Sequence, residues 1–221
     1  MSEDIAGWVE QRMGRRPQDP ALFETALTHS SAPGDSYERL EFLGDRVLGL
    51  VVASWLIELY PDEPEGKLSH RLHALVSGEV CAEIAQELGV RPLLRLGRQA
   101  QDDGVFESVN VLGDVVEALI GALYLDAGLE SAEAFIRKAW GDRVTRLSAP
   151  PKHPKAALQE WAAAKKRRPP HYEVSEMSGP DHARRFTVIV RVNGAGEASG
   201  TGLSKQEAET EAARALLGQI E

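Results

Sequence analysis

The 221-residue chain has a single cysteine, Cys81, and only 6% aromatic residues. One cysteine excludes an internal disulfide framework and any zinc cluster built on several cysteines. No apolar run reaches membrane-spanning length, since the longest, residues 47–59, is interrupted by glycine, serine and glutamate. The start, residues 1–4, is acidic, unlike the basic and then apolar start of a secretory signal. We therefore expect a cytoplasmic protein without a membrane partner.

The composition is that of a folded protein, with 43% hydrophobic and 27% charged residues. The net charge of −9 hides an uneven distribution. Residues 150–221 hold 11 basic and 9 acidic side chains, whereas residues 1–149 hold 14 basic and 25 acidic ones. A strongly acidic part followed by a mildly basic one suggests two modules with different tasks, although an acidic surface also simply favours solubility.

A proline-rich stretch marks the boundary between these modules. Residues 147–154 contain three prolines, which lack backbone donors and resist helix formation. The sequence therefore predicts a first domain over residues 1–147, a linker over 148–153 and a second domain over 154–221.

The first domain shows helical periodicity throughout and no clean alternation of period two. Pro61, Gly89 and Gly128 supply stop signals, and Asn110 is a candidate N-cap. We expect an all-α domain. Its predicted helices cover residues 5–13, 20–29, 38–60, 68–88, 111–127 and 131–147.

The second domain changes pattern and predicts a small α+β fold of order αβββα. A helix is expected over 155–165, strands around 172–174, 186–192 and 195–203, and a helix over 204–220. Asn193-Gly194 has the composition of a hairpin turn, and the stretch from Ser204 to Glu207 matches a capping box.

The segment from Tyr37 to Asp45 places three carboxylates in an otherwise apolar helix. At about 100° per residue, Asp45 lies about 40° from Glu41, and Glu38 lies about 60° to the other side. Like charges at this spacing destabilise an isolated helix, so a bound cation is the simplest compensation.

A second pair, Asp114 and Glu117, lies one helical turn apart in another largely apolar helix, with Asp114 expected in the first turn. Carboxylates buried without basic partners are costly unless they bind a metal ion. Oxygen ligands on rigid helices suit Mg²⁺ or Mn²⁺, which can activate water and stabilise charge on a phosphoryl group. Solvated acidic stripes paired with Arg39 and Arg46 are the alternative interpretation.

Positive charge in the second domain favours a polyanionic partner. Basic residues cluster at 165–168 and 184–185, and Lys205 lies at a helix N-terminus, where free backbone N–H groups also attract phosphate. A helix, the loop 179–182 and a helix N-terminus on one side of a small sheet match recognition of double-stranded RNA by shape. For residues 165–168 alone, a solvated helix end is the favoured interpretation of the charge.

The motifs resemble those of the ribonuclease III family over nearly the whole chain. The most specific is Glu38-Arg39-Leu40-Glu41-Phe42-Leu43-Gly44-Asp45, supported by residues 26–30, 65–69 and 114–126. Residues 154–160, 179–182 and 204–209 resemble the double-stranded RNA-binding domain. The layout matches the simple bacterial enzyme, with an all-α catalytic domain followed by one RNA-binding domain.

The resemblance implies a homodimeric, Mg²⁺-dependent endoribonuclease that cuts double-stranded RNA and accepts Mn²⁺ as a substitute. It implies 5′-phosphate and 3′-hydroxyl products with short 3′ overhangs, and processing of ribosomal and other structured RNA precursors. The resemblance implies that the catalytic metal ligands are Glu41, Asp114, Glu117 and Asp45. It also implies accessory catalytic roles for Glu38 and Glu65 and a dimer contact by Phe42. The implied RNA contacts are Gln159, His182, Ser204 and Lys205.

The chain departs from the family pattern at several positions. Arg46 and Gly113 replace residues that are commonly small ones such as alanine, Gln206 replaces a frequent lysine, and His153 a frequent aspartate. All six acidic positions are present, which favours an active enzyme over a non-catalytic RNA-binding dimer. An all-α metal phosphohydrolase is the third hypothesis, but it predicts His–Asp ligand pairs and leaves the second domain unexplained.

Overall fold

Helices make up the first part of the computed structural model, which describes residues 4–146, 154–178 and 185–220. The chain divides into two compact units, Met1–Pro150 and Pro151–Glu221. The predicted linker 148–153 lies outside the described residues, and the domain limits at 147 and 154 stay predictions.

The first unit is all-α, as predicted. Apart from a single bridge between Thr28 and Arg95, its described residues form no β-structure. Short 3-10 turns cover Arg91–Leu93 and Val105–Glu107. Its helices are α1 (Ile5–Met13), α2 (Pro20–Ala26), α3 (Glu38–Leu59), α4 (Glu65–Leu75), α5 (Gly78–Leu88), α6 (Arg98–Asp102) and α7 (Val109–Arg146).

The prediction of one helix over 68–88 is wrong, because the chain breaks between α4 and α5. Ser77 has an extended backbone with ψ 152°, and its side chain accepts a hydrogen bond from the Val80 backbone N–H. A serine cap at this position satisfies a free donor of the new helix. The apolar periodicity continues across the break, so hydrophobicity alone did not reveal it.

The predicted helix 111–127 and residues 131–146 of the predicted helix 131–147 lie within α7, which is interrupted at Gly128 with φ 79° and ψ 179°. Residue 147 lies outside the described residues. The start differs from the prediction, because α7 begins at Val109 rather than after Asn110. The Ser108 carbonyl accepts the Leu112 N–H at 2.9 Å, which closes the first turn. Asp114 is therefore the sixth helical residue and not, as expected, part of the first turn.

Two glycines let α3 and α7 cross at close range. A Cβ atom on Gly44 would lie 1.7 Å from the Glu117 carbonyl oxygen, and one on Gly121 would lie 2.3 Å from the Leu40 carbonyl oxygen. No other residue fits at such a backbone contact. Around this crossing, buried side chains form the core of the first unit, among them Leu48, Val52, Leu112, Val116, Leu119 and Ile120.

The second unit has the predicted αβββα order: α8 (Pro154–Ala164), β1 (His171–Ser178), β2 (Arg185–Val192), β3 (Gly196–Gly202) and α9 (Lys205–Ile220). The three strands form an antiparallel sheet in sequence order. One face of β2 is buried in a core with both helices, and it carries Val188, Val190 and Val192.

The predicted turns of the second unit are also present. Gly194 has φ 76° between β2 and β3, as the hairpin requires. The Glu207 backbone N–H donates to Ser204 Oγ at 3.1 Å, and Glu207 Oε2 accepts the Leu203 N–H at 2.7 Å. The capping box is thereby confirmed, with the return bond made one residue earlier than in the standard motif.

Candidate active site

The crossing of α3 and α7 brings the two predicted carboxylate groups together. Glu41 and Asp45 project from α3, and Asp114 and Glu117 from α7, with all four side chains partly buried. The Gly44 contact with the Glu117 carbonyl fixes this arrangement, since it holds the two backbones in contact at the height of the carboxylates. The sequence predicted the carboxylates but not the glycine contact that juxtaposes them.

Asp114 is oriented by Tyr37, a buried residue directly before α3. The Tyr37 hydroxyl donates to Asp114 Oδ2 at 3.3 Å. Burial raises the pKa of Asp114, while the Tyr37 hydrogen bond and nearby His29 oppose that shift. The His29 and Tyr37 rings meet edge to face with centroids 5.8 Å apart. Sequence reasoning missed Tyr37, because no local pattern pairs it with a residue 77 positions away.

Glu117 is the most strongly perturbed carboxylate. Burial, together with the negative charges of Glu41 and Asp114, raises its pKa from 4.5 to about 7. The Cys81 thiol lies 3.9 Å from Glu117 Oε1 and donates to it, and burial raises the pKa of that thiol to about 12. Burial and the charge of Asp114 likewise raise the pKa of Glu41. The carboxylates therefore lie close enough to disfavour one another's charge.

Asp45 differs from the other three because it already has a cationic partner. Arg46 Nη1 forms an ion pair with Asp45 Oδ2, and the Arg46 guanidinium lies 5.4 Å from the centre of the Phe42 ring. Phe42 is 64% exposed. The suggested pairing of Arg39 appears in no ion pair of the described residues, whereas that of Arg46 is confirmed.

The two accessory acidic residues are both exposed, and one of them interacts with the cluster. Glu38 is exposed, accepts a hydrogen bond from Ser36 Oγ at 3.0 Å, and contributes to the raised pKa of Glu41. Glu65, the first residue of α4, is exposed and accepts from Ser69 Oγ at 2.7 Å. None of the interactions found among the described residues joins Glu65 to the cluster.

The donor set fits a hard divalent cation by its chemistry. Four carboxylates supply oxygen ligands, and three of them have raised pKa values that a cation would relieve. In residues 4–146 and the described parts of the second unit, however, no three acidic, histidine or cysteine side chains are arranged to hold a metal ion. Asp45 is turned to Arg46, so the four side chains do not converge, and their sharing of one ion stays a prediction.

The predicted RNA-facing residues all belong to the second unit. Gln159 on α8 is exposed, as are Ser204 and Lys205 at the start of α9. The Lys205 ammonium lies 3.9 Å from Glu209 Oε1. His182 and its loop, residues 179–182, lie outside the described residues.

The basic run 165–168 is not uniform. Lys165, Lys166 and Arg168 are exposed, but Arg167 Nη1 donates to the Asn193 carbonyl at 3.0 Å and its guanidinium lies 5.3 Å from a ring centre of Trp161. Arg167 thus ties the end of α8 to the hairpin, which is a structural role that the sequence did not indicate. In the described parts of the chain, no helix is long and apolar enough to cross a membrane.

Comparisons with known proteins agree with these two units. Residues 19–143 match the family model described as ribonuclease-III-like, and residues 154–220 match the double-stranded RNA binding motif. The chain is 59% identical to Ribonuclease 3 of Zymomonas mobilis over 98% of its own length and 88% of that protein. It is 46% identical to Ribonuclease 3 of Dinoroseobacter shibae, covering 100% of this chain and 97% of that one.

A solved structure supports the same assignment for the first unit. The nuclease domain of ribonuclease III from Campylobacter jejuni superposes with a TM-score of 0.60 at 34% identity, over 64% of this chain and 96% of that one. Family models, relatives and fold therefore agree: the chain belongs to the ribonuclease III family and carries a double-stranded RNA binding motif.

Proposed function

We propose that the chain is a homodimeric, Mg²⁺-dependent endoribonuclease that cleaves double-stranded RNA, with Mn²⁺ as a substitute. The observation that carries the proposal is the juxtaposition of Glu41, Asp114 and Glu117 at the α3–α7 crossing, in a chain that also carries a double-stranded RNA binding motif. Carboxylates that raise one another's pKa form an unfavourable arrangement in the absence of a cation.

Glu41, Asp114, Glu117 and Asp45 would hold the divalent cation. When bound, such an ion lowers the pKa of water and stabilises negative charge on a phosphodiester. Tyr37 orients Asp114 by its hydrogen bond, and the buried surroundings of Glu117 limit competition from bulk water. Asp45 would help to position the attacking water.

Water attack on phosphorus with release of the 3′ oxygen leaves a 5′-phosphate on one product and a 3′-hydroxyl on the other. Glu38 and Glu65, both exposed, are proposed as accessory residues near the scissile strand. Cuts on the two strands by the two sites of a dimer give short 3′ overhangs.

The dimer contact is proposed at the exposed apolar face of α3. Phe42, Leu50 and Ile57 are 64%, 56% and 60% exposed. At about 100° per residue they lie within about 80° of one another, and so form one stripe on the helix. Apolar side chains grouped in this way favour burial against a partner. A region involved in dimer formation is also described for the Campylobacter jejuni nuclease domain.

The second unit would capture the substrate. Gln159, Ser204 and Lys205 are exposed on α8 and at the N-terminus of α9, where backbone N–H groups favour phosphate. We include His182 in this proposed RNA-binding surface because its position matches the pattern of the double-stranded RNA-binding domain. Cytoplasmic precursors of ribosomal and other structured RNAs are the proposed substrates.

Glu117→Gln tests the proposal. This substitution keeps the size of the side chain and removes its charge, so we expect the variant to bind a long RNA duplex normally and to leave it uncut in Mg²⁺. Glu130→Gln, at an exposed position of the same α7, is the matched control and should cut normally. Full cleavage by Glu117→Gln, or by the unaltered chain in EDTA, would refute the proposal. Intact duplex with the unaltered chain in Mg²⁺ would favour a non-catalytic RNA-binding protein.

A further inference from the structure

Arg46 places a fixed positive charge beside the carboxylate cluster. Its Nη1 atom forms an ion pair with Asp45 Oδ2, and its guanidinium lies 5.4 Å from the centre of the Phe42 ring. The Arg46 side chain is 66% exposed and that of Asp45 is 36% exposed. The guanidinium therefore lies at the open edge of the site and can move without disturbing the core.

The charge of Arg46 reaches beyond Asp45. It lowers the pKa of Glu41 and that of Glu117, against the larger upward effects of burial and neighbouring carboxylates. A cation that favours the ionised form of these side chains acts on them as a bound divalent ion would. Arg46 thus compensates part of the charge repulsion in the cluster.

The orientation of Asp45 follows from the same contact. Asp45 is turned towards its neighbour in the sequence, and the described residues contain no group of three ligands arranged for a metal ion. Arg46 pairs with Oδ2 of Asp45, and its positive charge opposes the approach of a divalent ion to the same carboxylate.

We propose that Arg46 is an internal counter-ion that competes with the divalent cation for Asp45, so that this carboxylate binds a metal ion more tightly once Arg46 has left it. The inference rests on the proposed metal site. Metal affinity of the site is then set partly by a residue that is not itself a ligand.

The test is calorimetric titration of the full chain with Mn²⁺ in the absence of RNA. Arg46→Ala should bind Mn²⁺ about three- to tenfold more tightly than the unaltered chain, because it removes one positive charge beside a doubly charged ion in largely aqueous surroundings. Arg39→Ala is the matched control, because Arg39 is an exposed arginine of the same helix that lies about 160° around it from Glu41. The Mn²⁺ affinity of Arg39→Ala should differ from that of the unaltered chain by less than about twofold.

A double-mutant cycle with Asp45→Asn isolates the competition. If Arg46 acts mainly through Asp45, adding Arg46→Ala to Asp45→Asn should tighten Mn²⁺ binding by a clearly smaller factor than Arg46→Ala does alone. If Arg46→Ala tightens Mn²⁺ binding by the same factor with and without the Asp45 carboxylate, the proposed competition is overturned. Unchanged or weaker binding by Arg46→Ala alone would also overturn it, and the proposed function would stand. If the unaltered chain binds no Mn²⁺, both proposals are wrong.

Discussion

The carboxylate cluster should cost the metal-free protein stability, and Glu117 allows this cost to be measured. Its pKa rises from 4.5 to about 7 in the folded chain, whereas in the unfolded chain it is ordinary. The folded state therefore holds the proton more tightly, and the stability linked to that proton is lost as the pH rises from 4.5 through about 7. A difference of this size corresponds to about 3 kcal/mol, which partial solvent exposure reduces to about 1–3 kcal/mol.

Glu117→Gln removes this penalty, because glutamine resembles the protonated acid and does not ionise. In EDTA at pH 8, the variant should exceed the unaltered chain in free energy of unfolding by about 1–3 kcal/mol. At pH 4.5 the difference should almost disappear. Urea unfolding at equal protein concentrations measures both values, with Glu130→Gln as the control that should show no such pH dependence. A variant that is less stable than the unaltered chain at pH 8 would refute the reasoning.

Three other substitutions test separate parts of the account. Gly44→Ala should lower the free energy of unfolding by about 1–3 kcal/mol and reduce cleavage at least about tenfold, because the new methyl group meets the Glu117 carbonyl. Urea unfolding measures the first effect and a cleavage assay the second. Tyr37→Phe should raise the Mg²⁺ concentration for half-maximal cleavage by about fivefold, since Asp114 loses a donor worth about 1 kcal/mol; an unchanged metal requirement would contradict it. Lys205→Ala should weaken duplex binding and lower its salt dependence by about one counterion, and an unchanged salt slope would remove Lys205 from the interface.

Much of the fold could be predicted from local signals. The apolar period and the stop at Pro61 predicted α3 to within one residue of its observed end at Leu59. In the second unit, period-two alternation and the Ser204 cap predicted β2 and the start of α9. These features depend on residues close together in the sequence, so the sequence displays them directly.

What the sequence did not reveal depends on long-range packing or on competition between local signals. The break at Ser77 was missed because a side-chain cap interrupts an apolar pattern that continues on both sides. The bond from Tyr37 to Asp114 joins residues 77 positions apart, and the role of Gly44 becomes visible only when α7 lies against it. The sequence suggests ion pairs of Arg39 and Arg46 with the acidic stripe but not which carboxylate each would contact, and the structure pairs Arg46 with Asp45.

The same distinction applies to the candidate site. Helical spacing predicted that Glu41 and Asp45 share a face and that Asp114 and Glu117 share another. Helical spacing contained no information on whether the two faces meet, and the contact of Gly44 with the Glu117 carbonyl shows that they do.

The central claim is that carboxylates from α3 and α7 bind divalent ions together. Crystals of the full chain grown with Mn²⁺ test it through the anomalous signal of the metal. The account predicts Mn²⁺ within about 2.0–2.3 Å of oxygens from Glu41, Asp114 and Glu117, with Arg46 no longer bonded to Asp45. Mn²⁺ bound elsewhere, or carboxylates that stay as far apart in its presence as in its absence, would contradict the account.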